Sequence, residues 1–179
     1  MIRHLAIAIV SALFAAAVMT FGDYVWASRL LTHRVMFGLL HGAGLCLALG
    51  LVLGLPAKRP LVGAFGGLIV GVLAAASFYV LAPLMRYSAM FVSWFLLWIL
   101  LALLDRMLRR ASSLTSALVR GVVAALGSGL AFYAISGMWA HWNPATISYP
   151  DHLLRWSFAF LPGFLALHVA APPHASARR

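Results

Sequence analysis

The stretch 61-LVGAFGGLIVGVLAAASFYVLA-82 decides the fold, because it is long and apolar enough to cross a membrane as a helix. Within it, small residues recur at every fourth position before a tyrosine, so a helix places them on one stripe. The same pattern occurs once upstream and once downstream. The three sets are Gly63, Gly67, Gly71, Ala75, Tyr79; Ala8, Ala12, Ala16, Thr20, Tyr24; and Ala117, Gly121, Ala125, Gly129, Tyr133.

The composition of the chain indicates an integral membrane protein. Of its 179 residues, 64% are hydrophobic and 9% are charged, which is too apolar for a soluble domain of this size. The net charge of +10 comes from basic residues scattered between apolar runs, and the chain has no nucleic-acid-binding motif. We therefore expect membrane lipids, including anionic headgroups, as partners, and no nucleic acid.

Six apolar stretches have the length that a membrane crossing needs. They predict an all-α integral membrane protein with one transmembrane domain of six helices and a short basic tail over 172–179. The stretches cover about 5–25, 35–55, 61–82, 88–104, 114–138 and 151–171.

The spacing of the stripes predicts an internal repeat. Tyr24, Tyr79 and Tyr133 are 55 and 54 residues apart, which is the length of a two-helix unit. We therefore predict three tandem helical hairpins with pseudo-threefold symmetry. Their approximate ranges are 5–55, 61–104 and 114–171.

The distribution of basic residues predicts the orientation in the membrane. Nine of the 13 basic residues lie on the side that holds both termini, so the positive-inside rule places both termini in the cytoplasm. We expect the membrane to be the inner membrane of a bacterium. The nine are Arg3, Lys58, Arg59, Arg106, Arg109, Arg110, Arg120, Arg178 and Arg179.

The small stripes predict close helix packing in the manner of a glycine zipper, because lipid offers no hydrophobic drive for helices to associate. We expect the three odd-numbered helices to pack through their stripes. The fourth helix should lie at the lipid boundary or against a partner subunit, because it has no glycine and carries Phe91, Trp94, Phe95 and Trp98. The predicted packing residues are Gly38, Gly42, Gly50, Gly54, Gly63, Gly67, Gly71, Ala75, Gly121, Ala125 and Gly129.

Polar and aromatic residues at the outer side form a candidate ligand cleft. Asp23 stands where the other repeats have Phe78 and Phe132, and a carboxylate is costly at that depth. It either pairs with Arg29 or Arg34 or forms a proton, cation or ligand site. The aromatic residues are an interfacial belt or the wall of a cleft for a lipid headgroup, a quinone or a small aromatic solute. The candidate cleft residues are Asp23, Tyr24, His41, Tyr79, Tyr133, Trp139, His141 and Trp142.

The other two acidic residues have structural interpretations. Asp105 precedes Arg106 at a helix end, which predicts an interfacial ion pair, and Asp151 lies in a first helical turn, where a carboxylate complements the helix dipole. Arg120 is expected to extend from its helix toward the membrane surface.

Metal and cofactor signals are weak. His33, His141, His152 and Asp151 are candidate metal ligands on the outer side, but no pair has a diagnostic spacing. His41 and His168 differ in predicted depth by roughly 13 Å, which argues against a haem bridged by two histidines. The only lysine, Lys58, is in a loop, which argues against retinal. The cofactor stays unassigned.

The chain has no GxSxG, HExxH, Walker A or Rossmann motif and no recognisable catalytic set, which favours a non-enzymatic role. We predict a structural or accessory subunit that packs against other subunits of a membrane assembly. One alternative is a small solute- or lipid-binding transport component with an aromatic cleft in its outer half. In size, helix count and the pair Ala12 and Ala16, the chain is similar to the substrate-capture components of vitamin importers, which are not built as three hairpins. A second alternative is a metal or proton-linked site on the outer face.

Overall fold

The computed structural model describes residues 2–28, 33–109, 113–136 and 148–169, and these ranges form six α-helices. A short 3₁₀ turn, Arg86–Ser88, joins the third helix to the fourth. The helices are α1 (Ile2–Ala27), α2 (Arg34–Gly54), α3 (Pro60–Met85), α4 (Ala89–Arg109), α5 (Leu114–Ser136) and α6 (Tyr149–Val169).

Local sequence signals explain where several helices begin and end. The ring of His33 accepts a hydrogen bond from the Met36 amide at the start of α2, and Ser113 Oγ accepts one from the Ser116 amide at the start of α5. Pro60 occupies the first turn of α3, where its missing amide hydrogen costs nothing. The bundle ends are called outer and inner here after the predicted orientation, in which Lys58 is inner.

Five of the six helices, α1 to α5, are long and apolar enough to cross a membrane. The prediction of an all-helical membrane protein is therefore confirmed. Helix α6 has 21 residues but includes Asp151, His152, Arg155 and His168, and its crossing stays a prediction. The tandem repeat and the position of the termini also stay predictions.

The pairs of helices that pack together differ from the pairs expected from the sequence. The most extensive contacts join α2 to α3, α1 to α6 and α4 to α5, and further contacts join α5 to α6 and α3 to α4. Helices α1 and α2, the first predicted hairpin, touch only over a small area. The expectation that odd-numbered helices pack together is wrong, because each has its main neighbours among the even-numbered helices.

Glycines bring α2 and α3 into backbone contact. A Cβ atom on Gly67 would overlap the carbonyl oxygen of Cys46, and one on Gly71 would overlap that of Gly42. A Cβ atom on Gly50 would likewise overlap the carbonyl oxygen of Gly63, and one on Gly63 would overlap that of Gly50. These two small stripes therefore form a seam in which a side chain larger than hydrogen forces the helices apart.

The remaining predicted packing residues lie against several neighbours. Gly38 faces the ring of Tyr79. Gly121 faces Ile99 and Ala102 of α4. The others lie as follows: Gly54 against Arg59 and Pro60, Ala75 beside Gly42, Ala125 buried, and Gly129 where an added Cβ atom would lie 4.0 Å from the ring of Trp94.

The placement of α4 at the lipid boundary or against a partner is wrong for half of its aromatic residues. Phe91 and Phe95 are about 40% exposed, but Trp94 is 8% exposed and Trp98 is fully buried. The two pairs occupy different faces of one helix, and the tryptophans point toward α6, where Gly163 leaves room for the ring of Trp98.

Gly67→Ala should lower the free energy of unfolding in detergent micelles by about 1–3 kcal/mol, because the added methyl group meets the backbone of α2. Gly44→Ala is the matched control, since a Cβ atom there meets nothing within 4 Å. Denaturant titrations followed by tryptophan fluorescence measure both variants. Equal stability of the two variants would contradict the seam.

Candidate functional site

Helices α1 and α6 run antiparallel, with small residues between them and polar contacts at both ends. Ala8, Ala12 and Ala16 of α1 are buried, so the helices approach closely along their middle. At the inner end His4 meets His168, and at the outer end Asp23 meets His152. These two ends hold the candidate sites, which are described in turn.

The outer junction consists of Asp23, His41, His152 and Trp156. Asp23 Oδ2 accepts a hydrogen bond of 2.8 Å from the indole N–H of Trp156 and lies 3.0 Å from His152 Nδ1. The side chain of His152 is 1% exposed and that of Asp23 is 23% exposed. The partners described for Asp23 are therefore a histidine and an indole of α6, where the sequence suggested Arg29 or Arg34; Arg29 lies outside the described residues.

His41 brings α2 to the same junction. Its ring packs directly on Gly22 of α1, where a Cβ atom would overlap it. Its Nε2 lies 3.0 Å from Met19 Sδ, and its ring stacks on Phe37 with 5.5 Å between centroids. The structure therefore places His41 against the residue that precedes Asp23, so these two predicted site residues share the outer junction.

The three tyrosines of the predicted cleft have three different helix neighbours. Tyr24 meets the ring of Tyr149 on α6 at 5.6 Å. The hydroxyl of Tyr79 donates a 2.7 Å hydrogen bond to the carbonyl oxygen of Arg34 on α2. Tyr133 lies 5.9 Å from Phe91 of α4. Three further cleft candidates, Trp139, His141 and Trp142, lie outside the described residues.

The candidate metal ligands have separate structural contacts. His33 caps α2, Asp151 accepts a hydrogen bond from Ser148 Oγ, and His152 contacts Asp23. His141 lies outside the described ranges. Across the described parts of the chain, no three His, Cys, Asp or Glu side chains are grouped so that they could hold a metal ion.

The inner junction consists of Asp105, Arg109, Arg120, His168 and His4. Asp105 is 1% exposed and accepts hydrogen bonds from Arg109 Nε at 2.5 Å and from Arg120 Nη1 at 3.3 Å. Arg120 is 5% exposed and also donates to the carbonyl oxygen of Leu167 at 3.0 Å. His4 Nδ1 lies 2.8 Å from the carbonyl oxygen of His168.

This junction ties four helices together at the end of α6. The last carbonyl groups of a helix have no amide partner within it. Here Arg120 of α5 and His4 of α1 donate hydrogen bonds to these carbonyl groups, and Asp105 of α4 neutralises Arg120.

Two predictions from the sequence are wrong at this junction: the interfacial pairing of Asp105 with Arg106 and the surface position of Arg120. Arg109 is four residues from Asp105 and could have been found by helical spacing, whereas Arg120 is on another helix.

An aromatic column connects the two junctions. On α6, Trp156, Phe160, Phe164 and His168 follow one another at four-residue spacing, with centroid distances of 6.0, 6.3 and 6.2 Å. Trp94 and Trp98 of α4 pack on this column at 5.2 Å from Phe160 and 5.1 Å from Phe164. Stacked and edge-on rings of this kind fill the space between α4 and α6.

Ser128 of α5 provides a polar link beside the column. Its hydroxyl accepts a 3.0 Å hydrogen bond from the indole N–H of Trp94 and donates a 2.6 Å bond to the carbonyl oxygen of Ala159. A single buried hydroxyl therefore joins α4, α5 and α6.

The chemistry that these sites allow follows from their exposure. The inner junction is buried and its carboxylate is matched by two guanidinium groups, which suits a structural tie. The outer junction has a partly exposed carboxylate, which suits binding of a proton or a cation. No protein-family model matches this sequence, and comparisons with curated proteins and with solved structures give no significant match.

Asp105→Asn should lower the free energy of unfolding by about 3–5 kcal/mol, because it leaves the buried Arg120 without a counter-charge. Asp151→Asn, at an exposed helix start, should cost about 0.3–1 kcal/mol. Denaturant titration in micelles measures both. A double variant, Asp105→Leu with Arg120→Met, should recover part of the loss; equal effects of the two single Asn variants would argue against the inner junction.

Proposed function

We propose that this protein is a non-enzymatic accessory subunit of a membrane assembly, packed against other subunits within the bilayer. The supporting observation is that its interior is occupied by its own helix contacts while α3 presents a long apolar surface. The inner junction binds α6 to three other helices, and the aromatic column fills the space beside it. Because the interior is filled by contacts between the protein's own helices, we expect it to act through its membrane-facing surface and not through a central channel.

Helix α3 offers an extended apolar surface for such a contact. One side of α3 is used by the glycine seam with α2, and the opposite side carries large aliphatic and aromatic side chains over its full length. Phe65 is 70% exposed and Val80 is 72% exposed. The chemistry of this surface suits an apolar transmembrane helix of another subunit, held by shape and van der Waals contact.

The solute- or lipid-binding alternative is supported by one observation, the partly exposed carboxylate of Asp23 in the outer junction. The separate neighbours of Tyr24, Tyr79 and Tyr133 favour a small site at this junction over a wide aromatic cleft. A metal or proton-linked role would also depend on Asp23 and His152. We further propose the bacterial inner membrane with both termini inside, which the basic residues at the inner end support.

Site-specific photo-crosslinking in the native membrane tests the assembly proposal. A photoreactive residue in place of Phe65 or Val80 should give one discrete protein adduct. The matched control is Leu130 of α5, which is 69% exposed and should give lipid adducts alone. Lipid adducts alone at both α3 positions would overturn the proposal that α3 contacts a partner subunit.

A further inference from the structure

The carboxylate of Asp23 has one oxygen that accepts from two side chains of α6 and a second oxygen with no hydrogen-bond partner among the described residues. The hydrogen bonds from Trp156 and His152 both end on Oδ2. Among the described residues, Oδ1 is the remaining acceptor of this side chain, which is 23% exposed. A small donor group can therefore approach Asp23 from the exposed side without displacing α6.

Two tyrosines meet next to the outer junction, where α1 ends and α6 begins. Tyr24 follows Asp23 directly, and its ring meets that of Tyr149 edge-on at 5.6 Å. Tyr149 in turn lies 6.1 Å from the ring of His152, which contacts Asp23. Tyr24 is 45% exposed and Tyr149 is 48% exposed, so both residues are accessible to a ligand that approaches this end of α1 and α6.

The charge balance of Asp23 differs from that of Asp105, which is the buried carboxylate. Asp105 is matched by Arg109 and Arg120, so it needs no further cation. The hydrogen-bond partners described for Asp23 are an indole N–H and an imidazole, and the imidazole of His41 lies in the same junction, so no guanidinium or ammonium group is described beside this carboxylate. A carboxylate at this depth in a membrane protein is costly unless a positive group compensates it.

We propose that the outer junction binds an ammonium group, which forms an ion pair with Asp23 Oδ1 and packs against the rings of Tyr24 and Tyr149. A carboxylate beside aromatic rings is the chemistry that recognises primary and quaternary ammonium groups, through a charge-assisted hydrogen bond or ion pair and cation–π attraction. Two sources share this chemistry: the headgroup of an amine-containing phospholipid and a free organic amine. The site does not depend on the proposed contact of α3 with another subunit.

Equilibrium dialysis of the full-length protein in phosphatidylglycerol nanodiscs tests binding of the free amine. Radiolabelled ethanolamine and choline are the probes, and at least one of them should saturate at one equivalent. Asp23→Asn should weaken this binding at least about tenfold, because it removes a charge-assisted interaction. Asp151→Asn, which alters an exposed carboxylate on α6, is the matched control and should leave binding unchanged.

Native mass spectrometry tests the lipid source. The protein is reconstituted with equal amounts of phosphatidylethanolamine and phosphatidylglycerol, and the lipid retained after dilution in detergent is counted. Preferential retention of one phosphatidylethanolamine that is lost in Asp23→Asn identifies a headgroup ligand. Tyr24→Leu should weaken the binding of either ligand about threefold to fivefold, because it removes a cation–π contact. This variant keeps Asp23, so it tests the site even if Asp23→Asn folds poorly.

The outcomes separate the sources and can overturn the proposal. Saturable binding of a free amine, without preferential retention of phosphatidylethanolamine, indicates that the ligand is a soluble amine. Preferential retention of phosphatidylethanolamine, with or without binding of a free amine, indicates that the ligand is a lipid headgroup. Absence of both overturns the ammonium site. Binding that Asp23→Asn and Tyr24→Leu leave unchanged, in samples whose unfolding curves match the wild type, overturns it as well.

Discussion

The structure depends on polar contacts between neighbouring helices and the two ends of α6 inside a lipid-exposed bundle. This helix carries Asp151, His152 and Arg155 near its outer end and His168 near its inner end. A polar group left without a partner in lipid costs on the order of several kcal/mol. Asp23 of α1 meets the outer end, and Arg120 of α5, held by Asp105 of α4, meets the inner end. The positions of α1, α4 and α5 around α6 follow from these contacts.

Two kinds of packing fill the bundle between the junctions. Where α6 faces α4, large rings stack in a column, and Gly163 makes room for the ring of Trp98. Where α2 faces α3, glycines let the backbones touch. Both interfaces gain van der Waals contact, which is the main attraction between helices in lipid. The α4–α6 interface gains it through large aromatic side chains, and the α2–α3 interface gains it through glycines that let the backbones touch.

The carboxylate of the outer junction is both held by α6 and partly exposed, whereas the carboxylate of the inner junction is buried. His152 and Trp156 hold Asp23 in place, and the same carboxylate remains partly exposed beside Tyr24. The inner carboxylate, Asp105, is buried between two arginines. This contrast is the physical basis for placing a ligand at the outer end and a structural tie at the inner end.

The sequence by itself determined the class of the protein and the position of its helices, because apolar length and helical spacing are local properties. It also identified Asp23 and His41 as the outer polar residues, since a carboxylate and an imidazole stand out among apolar neighbours. Tertiary structure alone decided which stripe faces which helix, that Trp98 is interior and that Arg120 reaches Asp105. Contacts between distant helices depend on how each helix is rotated and paired, and a stripe of small residues specifies close approach without specifying the partner.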